Sequence, residues 1–156
     1  MIEITVPGYG LLRLEHLVLD YNGTLACDGQ LLDGVRQCLE GLAGELEIHV
    51  LTADTFGTAK AGLQRIGCEL VILPPEDQDS RKLEYVRRLG AERTACIGNG
   101  RNDRLMLKEA ALGIAVLGEE GTTLEALLAA DVVCTSIATA LDLLMNPLRL
   151  VATLRS

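Results

Sequence analysis

The strongest constraint on this chain is an alternation. Short, nearly uninterrupted apolar runs take turns with runs whose apolar residues recur at helical spacing. "HLVLD", "LEIHVLT", "CELVIL", "TACIG", "LGIAV" and "DVVCT" are of the first kind. "DGVRQCLEGLAG", with Val35, Cys38, Leu39 and Leu42 three or four apart, is of the second. Strands apolar on both faces and separated by helices specify a parallel sheet covered on both sides. The expected fold is α/β: one doubly wound, Rossmann-like parallel sheet with helices on both faces. "IEITV" and "LLRLE" around the turn "PGYG" predict a β-hairpin ahead of it. Further helices are predicted at "FGTAKAGLQRIG", closing at Gly67, and at "RKLEYVRRLG", capped by Asp79 or Ser80 and closing at Gly90. "RNDRLMLKEA", "TTLEALLAA", "IATALDLLM" and "PLRLVATLR" complete the helical set. No repeat, low-complexity tract or linker interrupts the 156 residues, so the expectation is a single domain over 1–156.

Composition excludes several function classes. The net charge is −8 with no basic run, which argues against nucleic acid as a partner. No window approaches the ~18 uninterrupted apolar residues of a membrane span. The N-terminal "MIEITVPGYG" has no basic region followed by a long apolar stretch, so it is not read as a signal peptide. The five cysteines are odd in number, widely spaced and without a CxxC pair, and there are only two histidines. They read as reduced, mostly buried thiols of a cytoplasmic protein rather than a disulfide framework or zinc site. His16 and His49 lie inside apolar strands and read as core or strand-edge residues rather than ligands.

In an open α/β sheet, ligands bind beyond the carboxyl ends of the strands, so the residues that end the strands carry the functional question. "HLVL" ends at Asp20. "EIHVL" ends at Thr52, with Asp54 two residues on. "TACI" ends at Gly98-Asn99-Gly100, followed by Asn102 and Asp103 at a helix start. Lys82 stands at the front of the helix after "CELVIL". Each piece alone has a plain reading. An Asp before Asn-Gly forms turns or caps helices, Thr52 caps, a lone lysine is solvated, and "GNG" is a tight turn. Together they place carboxylates, a hydroxyl, a lysine and glycine-rich turns on one rim. That set suits a phosphoryl group and a hard divalent cation.

In that order the motifs resemble the haloacid dehalogenase-like superfamily of phosphotransferases, and within it the phosphorylation domain of P-type ATPases in a membrane-free form. "DYNGTL" is similar to DKTGTL, "LTADT" to LTGD, "LPPEDQDSRKLEYV" to the proline-then-lysine segment, and "IGNGRNDRLMLKEAALGIAV" to GDGxND with its following helix and strand. The resemblance covers residues 16–134. It implies Asp20 as a nucleophile forming an aspartyl-phosphate, with Thr52 and Lys82 completing the catalytic set. It implies phosphate contacts at Tyr21, Asn22, Thr52, Ala53 and Lys82. It also implies Mg²⁺ held by Asp20, the Asn22 backbone carbonyl, Asn99 and Asp103.

Two departures qualify this. The family's phosphatases use the second acid of DxD as general acid and base; Asn22 cannot exchange a proton. Asn99 stands where the family has a metal-binding Asp. The expectation is a Mg²⁺-dependent phosphatase or phosphotransferase with slow turnover, acting on a small phosphorylated substrate or a phosphoprotein. The alternative is a phosphate-binding regulatory module with eroded catalysis. Neither segment where the family inserts a cap is long enough to hold one, which leaves the site open. A homo-oligomer covering it through the N-terminal hairpin is one arrangement; an edge hairpin within the monomer is the other. Asp54 is expected to support the Thr52 loop, and Arg101 to be solvated.

Overall fold

A computed structural model describes all of residues 1–156. In chain order the strands and helices are β1 (Ile2–Val6), β2 (Gly10–Leu14), β3 (His16–Asp20), β4 (Ala26–Cys27), β5 (Gln30–Leu31), α1 (Val35–Leu42), β6 (Glu47–Thr52) and α2 (Thr58–Gly62). They continue with β7 (Glu69–Ile72), α3 (Gln78–Leu89), β8 (Thr94–Gly98), α4 (Arg104–Glu109), β9 (Leu112–Val116), α5 (Leu124–Ala129), β10 (Val132–Cys134), α6 (Ile137–Met145) and α7 (Pro147–Leu154). One-turn 3₁₀ segments, Ala91–Arg93 and Arg101–Asp103, precede β8 and α4.

Six strands form a parallel sheet in the order β10-β9-β8-β3-β6-β7. The chain winds outward from β3 through β6 and β7, then returns to the other side of β3 and winds outward again. The topological switch therefore falls at the carboxyl end of β3, between β6 and β8, where Asp20 stands.

Alternate residues of each strand feed different cores because side chains in a strand alternate faces. Leu17, Leu19, Ile48, Val50, Ala95 and Ile97 join the larger cluster, under α1, α6 and the hairpin. Val18, Leu51 and Cys96 join the smaller one, with Tyr85 and Val86 of α3 and Met106 and Leu107 of α4. Helices cover both faces, as the apolar runs require. The β1–β2 hairpin is a separate antiparallel pair whose Ile2, Ile4, Val6, Leu12 and Leu14 bury in the larger core.

Three local expectations need correction. Helix α2 ends at Gly62, not Gly67. The Arg36 guanidinium takes the Gly62 and Gln64 carbonyls, and Arg65 turns left-handed (φ 63°) so that both Leu63 and Ile66 bury. Helix α3 begins at Gln78, ahead of both Asp79 and Ser80, which lie in its first turn instead of capping it. Of the five cysteines, all free, only Cys96 and Cys134 are buried. The mini-hairpin β4–β5 was also unforeseen. Its turn, Asp28-Gly29, has positive φ at both residues (50° and 78°), a pattern that Asp-Gly favours. No helix is long and apolar enough to cross a membrane; only the bent pair α6–α7 passes such a test jointly, and Leu141, Leu144 and Leu150 of that pair are buried in the core.

Candidate active site

The site is built on buried charge. Asp20, at the end of β3, is 6% exposed, while Lys82 and Asp103 are fully buried. Lys82 Nζ donates to Asp20 Oδ1 and to Asp103 Oδ1, both at 2.7 Å. Two carboxylates thus share one ammonium, and a lysine with no exposed surface is the reverse of the solvated residue its sequence context suggests on its own. Asp103 is held from its other side: Oδ2 accepts the backbone N–H groups of Asn99 (3.0 Å) and Gly100 (2.9 Å). This closes the "GNGRND" turn. Gly98 has to lack a side chain, since a Cβ there would stand 2.5 Å from Asp103 Cγ and Oδ2.

Thr24 is the residue that the sequence reading passed over. Its buried hydroxyl lies 3.3 Å from Asp20 Oδ2 and 3.1 Å from Asn99 Oδ1, and so joins the first and last motifs. Asn99 is pinned again where its Nδ2 donates to the Gly121 carbonyl (3.0 Å). Gly23 (φ 77°) brings the turn so close to the Asn99 amide that a Cβ would collide with it. A hydroxyl four residues after the strand-terminal acid, inside a motif already quoted, was the available signal for Thr24.

The remaining candidates divide. The Thr52 hydroxyl is buried at the end of β6, one register position beyond Asp20, and accepts the Asp54 N–H (3.2 Å). Its proton remains free for a ligand. Ala53 follows it, half-buried. Asp54 supports this loop as expected, taking the Ala59 and Lys60 N–H groups at the start of α2 (2.7 and 3.2 Å). The Tyr21 side chain points away from the rim. Its hydroxyl bonds the Gly29 and Thr58 carbonyls (3.1 and 3.3 Å) and ties the β4–β5 flap to α2. Only the Tyr21 backbone N–H faces Asp20. The Asn22 side chain is exposed. Arg101 pairs with Glu125 on the surface (3.2 Å), away from the cluster.

The electrostatics follow from this packing. Burial, then the Asp103 charge, pushes the Asp20 carboxyl up to about 6, against the pull of Lys82 and the Tyr21 N–H. For Lys82, burial opposes the charged form, but the two carboxylates outweigh it and hold the ammonium well above its ordinary range. With Lys82 charged and both acids ionised, the cluster has one negative charge in excess, and its unengaged ligand atoms are oxygens. That surplus and that donor type suit a hard divalent cation. Beside the cluster, the β4–β5 flap, the loop after β9 and the start of α6 enclose a cavity of about 400 Å³ lined by Thr24, Cys27, Leu32, Gly118, Glu119 and Ser136.

No protein-family model matches the chain. An uncharacterized protein of Methanocaldococcus jannaschii is 46% identical over 78 residues, 47% of this chain and 84% of that protein. A phospholipid-transporting ATPase of Saccharomyces cerevisiae is 27% identical over 143 residues, 92% of this chain but 11% of the ATPase. Among solved structures, a protein of Legionella pneumophila assigned to the HAD superfamily, subfamily III A, superposes with TM-score 0.72 at 17% identity, covering 90% of this chain and 87% of that one. The 3-deoxy-D-manno-octulosonate 8-phosphate phosphatase of Moraxella catarrhalis, solved with magnesium, phosphate and the sugar acid, gives 0.66 at 18% identity over 85% and 86%. At such identities the likeness is one of fold.

Proposed function

We propose, for a chain that belongs to one family with the archaeal protein and has the haloacid dehalogenase-like fold, a phosphoryl-transfer function centred on Asp20. The observation that carries it is the fully buried Lys82 held between Asp20 and Asp103 at the switch point of the sheet. A buried lysine bridging two acids contributes little to stability by itself, but it fixes a carboxylate and a positive charge where a phosphoryl group would arrive. In this reading an Asp20 oxygen attacks phosphorus, the bond to the leaving oxygen breaks, and an aspartyl-phosphate forms. Lys82, the free Thr52 hydroxyl proton and the backbone N–H groups of Tyr21 and Ala53 meet the phosphoryl oxygens.

Asp20, the Asn22 carbonyl and Asn99 are the residues that would hold Mg²⁺, which when bound would neutralise charge on the carboxylate and the phosphoryl group. Asp103 has no exposed surface, unlike Asp20 and Asn99, and its Oδ2 already takes two backbone N–H groups, so its part is to position Lys82 and supply charge to the cation. The leaving group would occupy the cavity beneath the β4–β5 flap. Only β4, β5 and α1 lie between Asp20 and β6, and only α2 and β7 between Thr52 and α3. Apart from the small β4–β5 flap, neither interval holds a segment long enough to form a separate cap, which suits a small phosphorylated substrate or a phosphoprotein side chain.

Asn22 lies on the exposed side of this rim and offers no proton. The leaving oxygen must take one from water, and the phospho-enzyme lacks a base to activate its hydrolysis, so turnover is slow. A screen of phosphate esters with Mg²⁺, comparing the wild type with Asp20→Asn, tests the reading; equal activity in the two rejects it. Trapping with beryllofluoride and Mg²⁺ separates an enzyme from a phosphate-binding module: an adduct on Asp20 supports the enzyme, and phosphate binding without any adduct supports the module.

A further inference from the structure

The opposite end of β3 carries a second cluster that phosphoryl transfer does not use. His16, at the start of β3, is paired in register with Glu47 of β6, and His49 of β6 is paired with Glu69 of β7. Both imidazoles are buried, at 8% and 4% exposure. His16 Nδ1 lies 3.3 Å from His49 Nε2 and 3.3 Å from Glu47 Oε2. One ligand atom from each of the three residues falls within 4.8 Å of the others. Ligands about 2.0–2.1 Å from a tetrahedral zinc ion stand about 3.3–3.4 Å apart, which is the spacing His16 keeps to both neighbours.

The surroundings of His49 are a second, independent observation. Its Nδ1 faces the Glu69 carboxylate (3.3 Å) and the Tyr85 hydroxyl (2.9 Å). A carboxylate can only accept, so a neutral His49 that serves Glu69 carries its proton on Nδ1 and turns its Nε2 lone pair toward His16, while a metal would displace the proton that His16 Nδ1 shares with Glu47. A carboxylate behind a ligating imidazole is the arrangement that fixes tautomer and ring orientation in metal sites.

We propose that His16 Nδ1, His49 Nε2 and Glu47 Oε2 form a three-ligand site for a divalent transition metal, with zinc the fitting ion and water or a ligand in the fourth position. Access is from the Glu47 side, whose side chain is 76% exposed. The site ties β3 to β6 and, through His49 and Tyr85, to α3, the helix that also carries Lys82. It lies four residues along β3 from Asp20, about 13 Å. Two imidazoles make it a softer, nitrogen-rich site, distinct in chemistry from the all-oxygen rim.

The test is calorimetric titration of the whole chain with zinc chloride in excess Mg²⁺, together with the visible spectrum of the cobalt-substituted protein. The expected result is one equivalent bound and an intense tetrahedral cobalt spectrum without thiolate charge-transfer bands. Glu47→Gln should weaken binding tenfold or more and His16→Gln should abolish it. Asp20→Asn should leave zinc binding unchanged. Absence of binding, retention of wild-type affinity in Glu47→Gln, loss of zinc in Asp20→Asn, or a thiolate spectrum each overturns the proposal. Should His16→Gln fail to fold, Glu47→Gln decides alone, since its mostly exposed side chain leaves the fold intact.

Discussion

Replacing Asp20 by Asn should make the metal-free protein more stable at neutral pH while removing its proposed nucleophile. The folded state raises the Asp20 carboxyl from 3.8 to about 6. A carboxyl raised on folding binds more protons in the native than in the unfolded state between those values. Ionised Asp20 therefore costs nothing below about pH 4, an increasing amount up to about pH 6, and its full penalty above that. Each unit is worth about 1.4 kcal/mol, so the full penalty is about 3 kcal/mol. A neutral amide in place of the Asp20 carboxylate would leave Lys82 and Asp103 as a balanced pair. Against the gain stand weakened bonds to Thr24 and Lys82, about 1 kcal/mol each. Urea unfolding in chelator, from pH 4.5 to 7.5, should show the variant gaining on the wild type as pH rises and levelling above about pH 7. Added Mg²⁺ should narrow the gap by stabilising the wild type alone. Lys82→Met is the counter-case: two buried acids lose their only cation, a loss of roughly 3–5 kcal/mol. A gap between Asp20→Asn and wild type that is flat across pH 4–7, or that closes as pH rises, would refute the charge-balance reasoning.

Three further variants probe the same geometry. Asn22→Asp places an exchangeable carboxyl on the exposed side of the rim and should accelerate decay of the phospho-enzyme by roughly 10²–10⁴-fold; burst kinetics read this, and an unchanged decay rate sinks the assignment. Thr24→Val keeps the shape but removes the hydroxyl between Asp20 and Asn99; a loss of about 1–3 kcal/mol in denaturant unfolding, with weaker Mg²⁺ binding by titration, is expected. Gly98→Ala drives a methyl into Asp103 and should abolish beryllofluoride trapping while far-ultraviolet circular dichroism stays native.

The fold was legible because the strands are short apolar runs separated by helical ones, and the site because β3 and β6 end in polar residues, Asp20 and Thr52. β3, β6 and β8 could be recognised as strands ending on one rim from "HLVLD", "EIHVLT" and "TACIG"; their adjacency came from the structure. The cluster was legible only as a set, since nothing local distinguishes Lys82 from a surface lysine; its burial follows from its reach between Asp20 at the end of β3 and Asp103 ahead of α4. What escaped were contacts between residues distant in sequence. Thr24 meets Asn99 across 75 positions, and Arg36 truncates α2 by capturing carbonyls nearly thirty residues away. The histidines are buried in their strands, as expected; their contact with one another was hidden for the same reason. Each is ordinary within its own strand, and only the parallel register of β3 with β6 brings the rings together, with two carboxylates behind them.

The two asparagines of the rim acquire a common physical meaning once the charges are counted. Asp20 and Asp103 already exceed Lys82 by one charge in a space from which water is excluded. A third buried carboxylate at position 99, beside Thr24 and within reach of Asp20, would raise the Asp20 carboxyl further and deepen the penalty on the metal-free state. Asn99 keeps an oxygen donor at that point without the charge. On the proposed reading, the site would tolerate the absence of a divalent cation and would bind one less tightly. Asn22, on the exposed side, gives no such relief, because a solvated carboxylate there would cost the fold little. Its neutrality bears on chemistry alone, on how long a phosphoryl group, once on Asp20, would stay there.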